Sequence, residues 1–370
     1  MKRIENRILF FIHKKPPFNG VTYYNELILC SEAIKQRIRY DLLPISYGKK
    51  INEIGDISIN KILIMFGLLF RLFVRCINQK YRYVYFSLVP TGNAFLRDSI
   101  FVFLMKLMRK KVIIHIHGVG IVDEMNRSFF RKRLYYSVFK NTDIITLSNE
   151  IKKDVACFEK VNSRIHVLNN GIPDLTCSCR QNNKKEFDFL LLSNIVRSKG
   201  QLIFLNAVKK LRDNGKKFNC IMAGQVVDSQ YKKELESFIK KEQLENFIQF
   251  RGAIYGDEKD ALFLKSCCFV FPTTFESFGI VVLEAMRSGI PSIVSNVYSL
   301  PGIINDGETG YLVSPNDPLE LAKKMEFILE NKNVAKVMGD RARKVFEKKY
   351  KFSVLECRFI QLLKNIQGLC

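Results

Sequence analysis

The feature that most constrains this chain is an alternation of short apolar runs with longer amphipathic ones, played through twice. In the first half, RILFFIH, RYDLLPIS, YRYVYFSL, KVIIHIHG, TDIITLS and RIHVLNN have β-strand character. Between them GVTYYNELILCSEAIKQ, Ile57–Asn78, NAFLRDSIFVFLMKLMRK and a basic stretch from Met125 to Lys140 read as helices. Continuous apolar strands separated by helices form a parallel sheet covered on both faces. The polar, turn-rich NNGIPDLTCSCRQNNKKE (Asn169–Glu186) interrupts the series. Alternation then resumes with FDFLLLSN, KFNCIMAG, FIQFRG, CCFVFPT, PSIVSN and GYLVSP as strands, and two or three helices close the chain from Asp317 to Leu369. The fold class is α/β, with two doubly wound, Rossmann-like domains. We place them at residues 1–170 and 187–350, with a hinge at 171–186 and a terminal helix at 351–370 that packs back on the first domain. Ligands of such sheets bind at the carboxyl ends of the strands, so two ligand edges are expected to face one another across a cleft.

Charge narrows the partners. The formal net charge is +23, and residues 1–175 carry 29 Lys and Arg against 14 Asp and Glu. Such a surface attracts polyanions: phosphorylated ligands, anionic lipid or nucleic acid. A merely solvated, lysine-rich surface accounts for it equally well. No nucleic-acid recognition motif is present, so no specific nucleic acid is expected. The ten cysteines follow no metal-ligand spacing and read as reduced thiols. MKRIENRILFFIHKK reads as a first strand rather than a signal peptide, which implies a cytoplasmic protein. The uncharged run Ile62–Phe70 is nine residues long, whereas a spanning helix needs about 20. Two readings of Ile57–Lys80 stay open: a helix packed on the sheet, or one lying in an anionic bilayer interface, the chain being peripheral on a membrane.

The chemistry concentrates in FESFGIVVLE, residues 275–284. It follows a strand and opens a helix, so the amides around Gly279, Ile280 and Val281 have no intrahelical acceptor and favour an anion. Gly279 lets a phosphate approach the backbone. Glu276 precedes the helix, and Glu284 lies about 7 Å along its axis. A carboxylate on each side of an anion site suits a nucleotide-sugar, with Glu284 on ribose hydroxyls and Glu276 on the sugar. The alternative partner of Glu284 is a neighbouring Lys or Arg, since a buried carboxylate needs one. In LLLSNIVRSKG, Lys199 stands at a helix entrance on the same sheet edge, as a diphosphate counter-charge.

FESFGIVVLE, with the strand FVFPT before it and EAMRSGIPS after it, resembles the motif of retaining GT-B glycosyltransferases of family 4. The resemblance is strong from Leu190 to Asp317 and looser before. It implies the GT-B fold, and transfer of a sugar from a UDP- or GDP-sugar donor to a glycan or lipid-linked acceptor with retention. It also implies that no cofactor or metal is needed. Glu276 matches the glutamate on the donor sugar and Glu284 the ribose binder. Phe278, Gly279 and Ile280 match positions whose amides meet sugar and phosphate, and Lys199 matches the diphosphate lysine. Asn194 stands where the family often has arginine. Arg251 and Tyr255 fall where the nucleobase is held. In the first half, Gly20 matches a phosphate-approaching glycine and His117 a histidine near the donor sugar, whereas His115, one step deeper on the strand, reads as structural. Closure about Asn169–Pro173 is expected to exclude water. The resemblance favours bacterial capsule, O-antigen or lipopolysaccharide synthesis. A GT-B nucleotide-sugar epimerase and a non-catalytic anionic-surface binder are the alternatives.

Overall fold

The computed structural model describes residues 7–16, 19–46, 59–78, 80–175 and 184–368. It divides into two units, residues 1–170 with 355–370, and residues 171–354.

The N-terminal unit is built on a six-stranded sheet in the order β2-β1-β3-β4-β5-β6. Its strands are β1 (Arg7–His13), β2 (Tyr40–Ile45), β3 (Tyr81–Leu88), β4 (Lys111–Ile116), β5 (Asp143–Thr146) and β6 (Arg164–Val167). Every pairing is parallel. The connecting helices are α1 (Gly20–Cys30), α2 (Glu32–Arg37), α3 (Ile59–Ile77), α4 (Gly92–Leu107), α5 (Ile121–Asn126), α6 (Phe129–Phe139) and α7 (Asn149–Val155). Right-handed crossovers place α3, α4 and α6 side by side on one sheet face. Their buried residues, including Leu72, Phe101 and Phe139, share one core cluster with Phe11, Phe86 and Ile114 of the strands.

Two helices are more broken than their hydrophobic pattern predicts. The expected Met125–Lys140 helix is the pair α5 and α6, because Ser128 turns out of helical geometry and its Oγ accepts the Arg131 amide at 3.2 Å. Likewise α1 stops before Ser31, whose Oγ accepts the Ile34 amide at 3.0 Å to start α2. Both are serine N-caps, which compete with helix continuation. The expected start of α3 at Ile57 lies outside the described residues.

The C-terminal unit has a second six-stranded parallel sheet in the order β12-β11-β10-β7-β8-β9. Its strands are β7 (Phe187–Leu192), β8 (Cys220–Ala223), β9 (Ile248–Arg251), β10 (Ser266–Phe271), β11 (Ser292–Ser295) and β12 (Gly310–Val313). Around it run α8 (Gln201–Asp213), α9 (Ser229–Lys241), α10 (Gly256–Leu264), α11 (Ile280–Arg287), α12 (Leu300–Ile303), α13 (Pro318–Glu330) and α14 (Lys332–Lys349). The last helix, α15 (Phe352–Gln367), sets Phe359 edge-on against Phe10 and Tyr85 of the N-terminal sheet.

Part of the segment read as a linker belongs to the C-terminal unit. Ile172 is buried and its backbone bonds to Tyr350 and Phe352. Asp174 accepts two bonds from Arg343, at 2.7 and 2.8 Å. Residues 176–183 of that linker lie outside the described residues. The seven described cysteines are all free.

Phe101 is wholly buried between Phe11, edge-on at 5.0 Å, and Phe86 at 6.3 Å. Phe101→Ala is expected to cost about 3–5 kcal/mol of unfolding free energy, read by urea denaturation.

Candidate active site

In the C-terminal sheet the strand order reverses between β7 and β10. The crevice outside such a reversal is where doubly wound sheets hold ligands. The loops that leave these two strands carry Asn194 and Lys199 after β7, and Glu276, Phe278 and Gly279 after β10.

The loops are joined through one backbone atom. The Ser198 carbonyl accepts the Thr274 amide and the Thr273 hydroxyl, both at 2.8 Å. Gly200 makes the approach possible. Its φ is +75°, and a Cβ there would lie 1.9 Å from the Pro272 carbonyl oxygen. At Gly279 φ is +91°, and a Cβ would meet Leu300 at 2.8 Å. Glycine is therefore required in both loops.

This junction brings Lys199 and Glu276 together. Lys199 Nζ donates to Glu276 Oε2 at 2.8 Å and to the Phe275 carbonyl at 3.0 Å. The other carboxylate oxygen of Glu276 accepts the amides of Phe278 and Gly279, at 3.3 and 3.2 Å. The Gly279 amide and Lys199 thus both donate to an anion of the chain itself, the carboxylate of Glu276. The sequence reading had left both open to a diphosphate. Ile280 begins α11 behind them.

Glu284 lies one turn further along α11 and is 6% exposed. Its partner is a cation of the protein, Lys259 of α10, whose ammonium donates to Glu284 Oε1. One residue on, Asp260 accepts from Arg287 of α11, which also donates to the Pro173 carbonyl at 3.1 Å. Glu284 and Arg287 are three apart and share a helix face. Two ion pairs of opposite polarity therefore fix α11 against α10. Lys259 and Asp260 were missed in the sequence. Their only signal is a mixed-charge run, DEKD, which gives no hint of what it faces.

The remaining candidates of this unit sit at neighbouring strand ends. Asn194 is exposed, and its carbonyl accepts from buried Gln201 at 2.8 Å. Arg197 is turned away to Glu234 and the ring of Tyr231, so it does not supply the charge that Asn194 lacks. Arg251 ends β9, exposed. Tyr255 precedes α10, and its hydroxyl donates to Gln225 at 3.3 Å.

In the N-terminal unit the strand order reverses between β1 and β3. Gly20 opens α1 just beyond β1, behind a capping box in which Asn19 Oδ1 accepts the Thr22 amide at 3.0 Å. The loop after β3 is held by Asp98, another residue the sequence reading missed, which is buried and accepts the Val89 amide at 2.9 Å. His117 follows β4. Its Nε2 is buried with no hydrogen-bond partner among the described residues. Burial, then the nearby His13, lower its pKa to about 3, so it is neutral near pH 7. His115 is fully buried and shares a hydrogen bond between its Nδ1 and the Tyr85 hydroxyl.

Residues 180–345 match the family model Glycosyl transferases group 1. The chain is 27% identical over 266 residues, 71% of each chain, to the uncharacterized glycosyltransferase MJ1178 of Methanocaldococcus jannaschii. It is 24% identical over 250 residues, 63% of this chain and 65% of the other, to the capsular polysaccharide biosynthesis glycosyltransferase CapM of Staphylococcus aureus. The crystal structure of Anabaena Alr3699/HepE in complex with UDP and glucose superposes with a TM-score of 0.71 at 18% identity, over 98% of this chain and all of that one. The two doubly wound sheets are those of the GT-B fold.

Two outcomes follow from the ion pairs and the buried imidazole. Lys259→Met leaves Glu284 unpaired and is expected to cost about 1–3 kcal/mol, most of it recovered in the Lys259→Met/Glu284→Gln double variant, as a double-mutant cycle by chemical denaturation will read. His117 has a folded pKa near 3 and an unfolded pKa of about 6.5, so the unfolded chain binds more protons between those values. Its contribution to stability is present above pH ~6.5 and is lost as the pH falls toward ~3. His117→Asn is expected to flatten the fall in unfolding free energy between neutral and mildly acidic pH.

Proposed function

We propose that this chain is a retaining glycosyltransferase that moves a sugar from a UDP- or GDP-sugar to a hydroxyl of a glycan or lipid-linked acceptor. The observation that carries this is the convergence at one sheet reversal of Lys199, Glu276, the N-terminus of α11 and Glu284. Each group fits one part of the donor. Ribose hydroxyls donate to Glu284, the diphosphate lies on Lys199 and the first amides of α11, and the sugar meets Glu276. Arg251 and Tyr255 lie beside the base. Bound diphosphate displaces the carboxylate of Glu276 from the Gly279 amide and from Lys199, and so frees Glu276 for the sugar.

As the bond from the anomeric carbon to the phosphate oxygen breaks, negative charge grows on the leaving diphosphate. Prearranged amides and a lysine stabilise that charge without reorganising. The leaving phosphate oxygen takes the acceptor proton on the face it departs from, which gives retention without a carboxylate nucleophile. We propose Gly20 and neutral His117 as the candidate functional residues of the N-terminal unit. On this reading no metal or cofactor takes part, because the lysine and amides offset the diphosphate charge. The capsule enzyme among the relatives supports placing the chain in surface-polysaccharide synthesis.

The test is thermal unfolding of the full chain with UDP-, GDP-, ADP- and CDP-sugars, wild type beside Glu284→Ala. A donor at 100 times its dissociation constant stabilises by about 2.7 kcal/mol. One nucleotide class should raise the melting temperature in the wild type and fail in the variant, and transfer from that donor should persist in EDTA. No shift with any nucleotide-sugar would sink the proposal.

A further inference from the structure

The sheet face that carries α3, α4 and α6 does not end in a polar surface. Helix α3 sets Leu68, Leu72 and Cys76 on the core at a spacing of four. Its opposite side is also apolar: Phe66 is 59% exposed and Phe70 68%. Helix α4 continues the patch with Phe103 and with Leu107, which is 79% exposed. The two helices line an open groove of about 710 Å³. Phe129 and Phe130, at the start of the adjacent α6, are exposed as well. The apolar groove shared by α3 and α4 is unusual on a protein that meets only water.

The charges around it identify what covers it. Helices α3 and α6 contain no acidic residue, and the single one in α4, Asp98, is buried against Arg97. Arg71 and Arg75 of α3 and Lys132 and Arg133 of α6 are exposed. The covering partner must therefore be apolar in the middle and anionic at its edge. A second copy meets this requirement poorly, because an isologous contact would bring one cationic face against another. No described helix is long and apolar enough to cross a membrane. A helix with an apolar side, flanking cations and too little length to span lies in the plane of the interface.

We propose that the α3–α4–α6 face docks on an anionic phospholipid bilayer, with Phe66, Phe70 and Phe103 in the acyl boundary and Arg71, Arg75 and Lys132 on lipid phosphates. The inference stands on this surface alone and is independent of the transfer chemistry. The test is flotation of the full chain with vesicles of phosphatidylethanolamine and phosphatidylglycerol, against vesicles of phosphatidylcholine, at physiological salt. The wild type should float with the anionic vesicles and much less with the neutral ones. Phe70→Ser/Phe103→Ser should cut the bound fraction more than tenfold. Arg71→Gln/Lys132→Gln should weaken binding by roughly fivefold per charge removed. Circular dichroism and melting temperature should stay unchanged in both, since all four side chains are outside the core. A wild type that stays in solution with anionic vesicles overturns the proposal, as does a phenylalanine variant that binds equally well. A dimer seen by sedimentation, dispersed by Phe70→Ser/Phe103→Ser in a chain that ignores vesicles, overturns it in favour of self-association.

Discussion

The Ser198 carbonyl, shared by Thr273 and Thr274, is the contact on which the C-terminal site depends. It ties the loop after β7 to the loop after β10, and both leave the sheet where its strand order reverses. With β7 and β10 paired in the sheet, the tie helps bring together Lys199 and Glu276, 77 residues apart in the chain. The tie in turn requires a residue without a Cβ at position 200, because the Pro272 carbonyl occupies that space. The missing Cβ at position 200 is thus one condition for the approach of the lysine to the carboxylate.

The carboxylates of the candidate site are paired within the chain. Glu276 accepts from Lys199 and from the loop amides, and Glu284 accepts from Lys259. An unpaired carboxylate or amide in such a crevice would carry a desolvation cost of several kcal/mol, so internal pairing holds the site in shape. Of the groups we propose for the donor, Lys199 and Glu276 satisfy each other, and Glu284 is satisfied by Lys259. Donor binding on the proposed reading exchanges the Glu276 carboxylate for the diphosphate on Lys199 and the Gly279 amide.

Much of the fold was legible because parallel strands buried on both faces must be apolar throughout, and those runs are unmistakable in FFIH, VIIHIH, FLLL and CCFVF. The helix breaks at Ser31 and Ser128 were not, since a serine interrupts a helix only when its hydroxyl turns back on the third amide. A motif marked Glu276, Glu284 and Lys199 as candidates because it ties chemistry to a position. Partnership was less legible. From the residues alone Glu284 had two open partners, a ribose or a cation, and the chain by itself supplies the cation.

Sequence alone determined the alternation, hence two doubly wound sheets, and the run of residues that places carboxylates, glycine and lysine at strand ends. Periodicity and local backbone preference act over a few residues, so they survive in the linear chain. The tertiary structure decided which strand ends adjoin, that Lys259 and Asp260 face Glu284 and Arg287, and that no described residue covers the solvent side of α3 and α4. Each depends on which residues far apart in the chain come to share a surface, and that is set by strand order and helix packing, not by any local pattern.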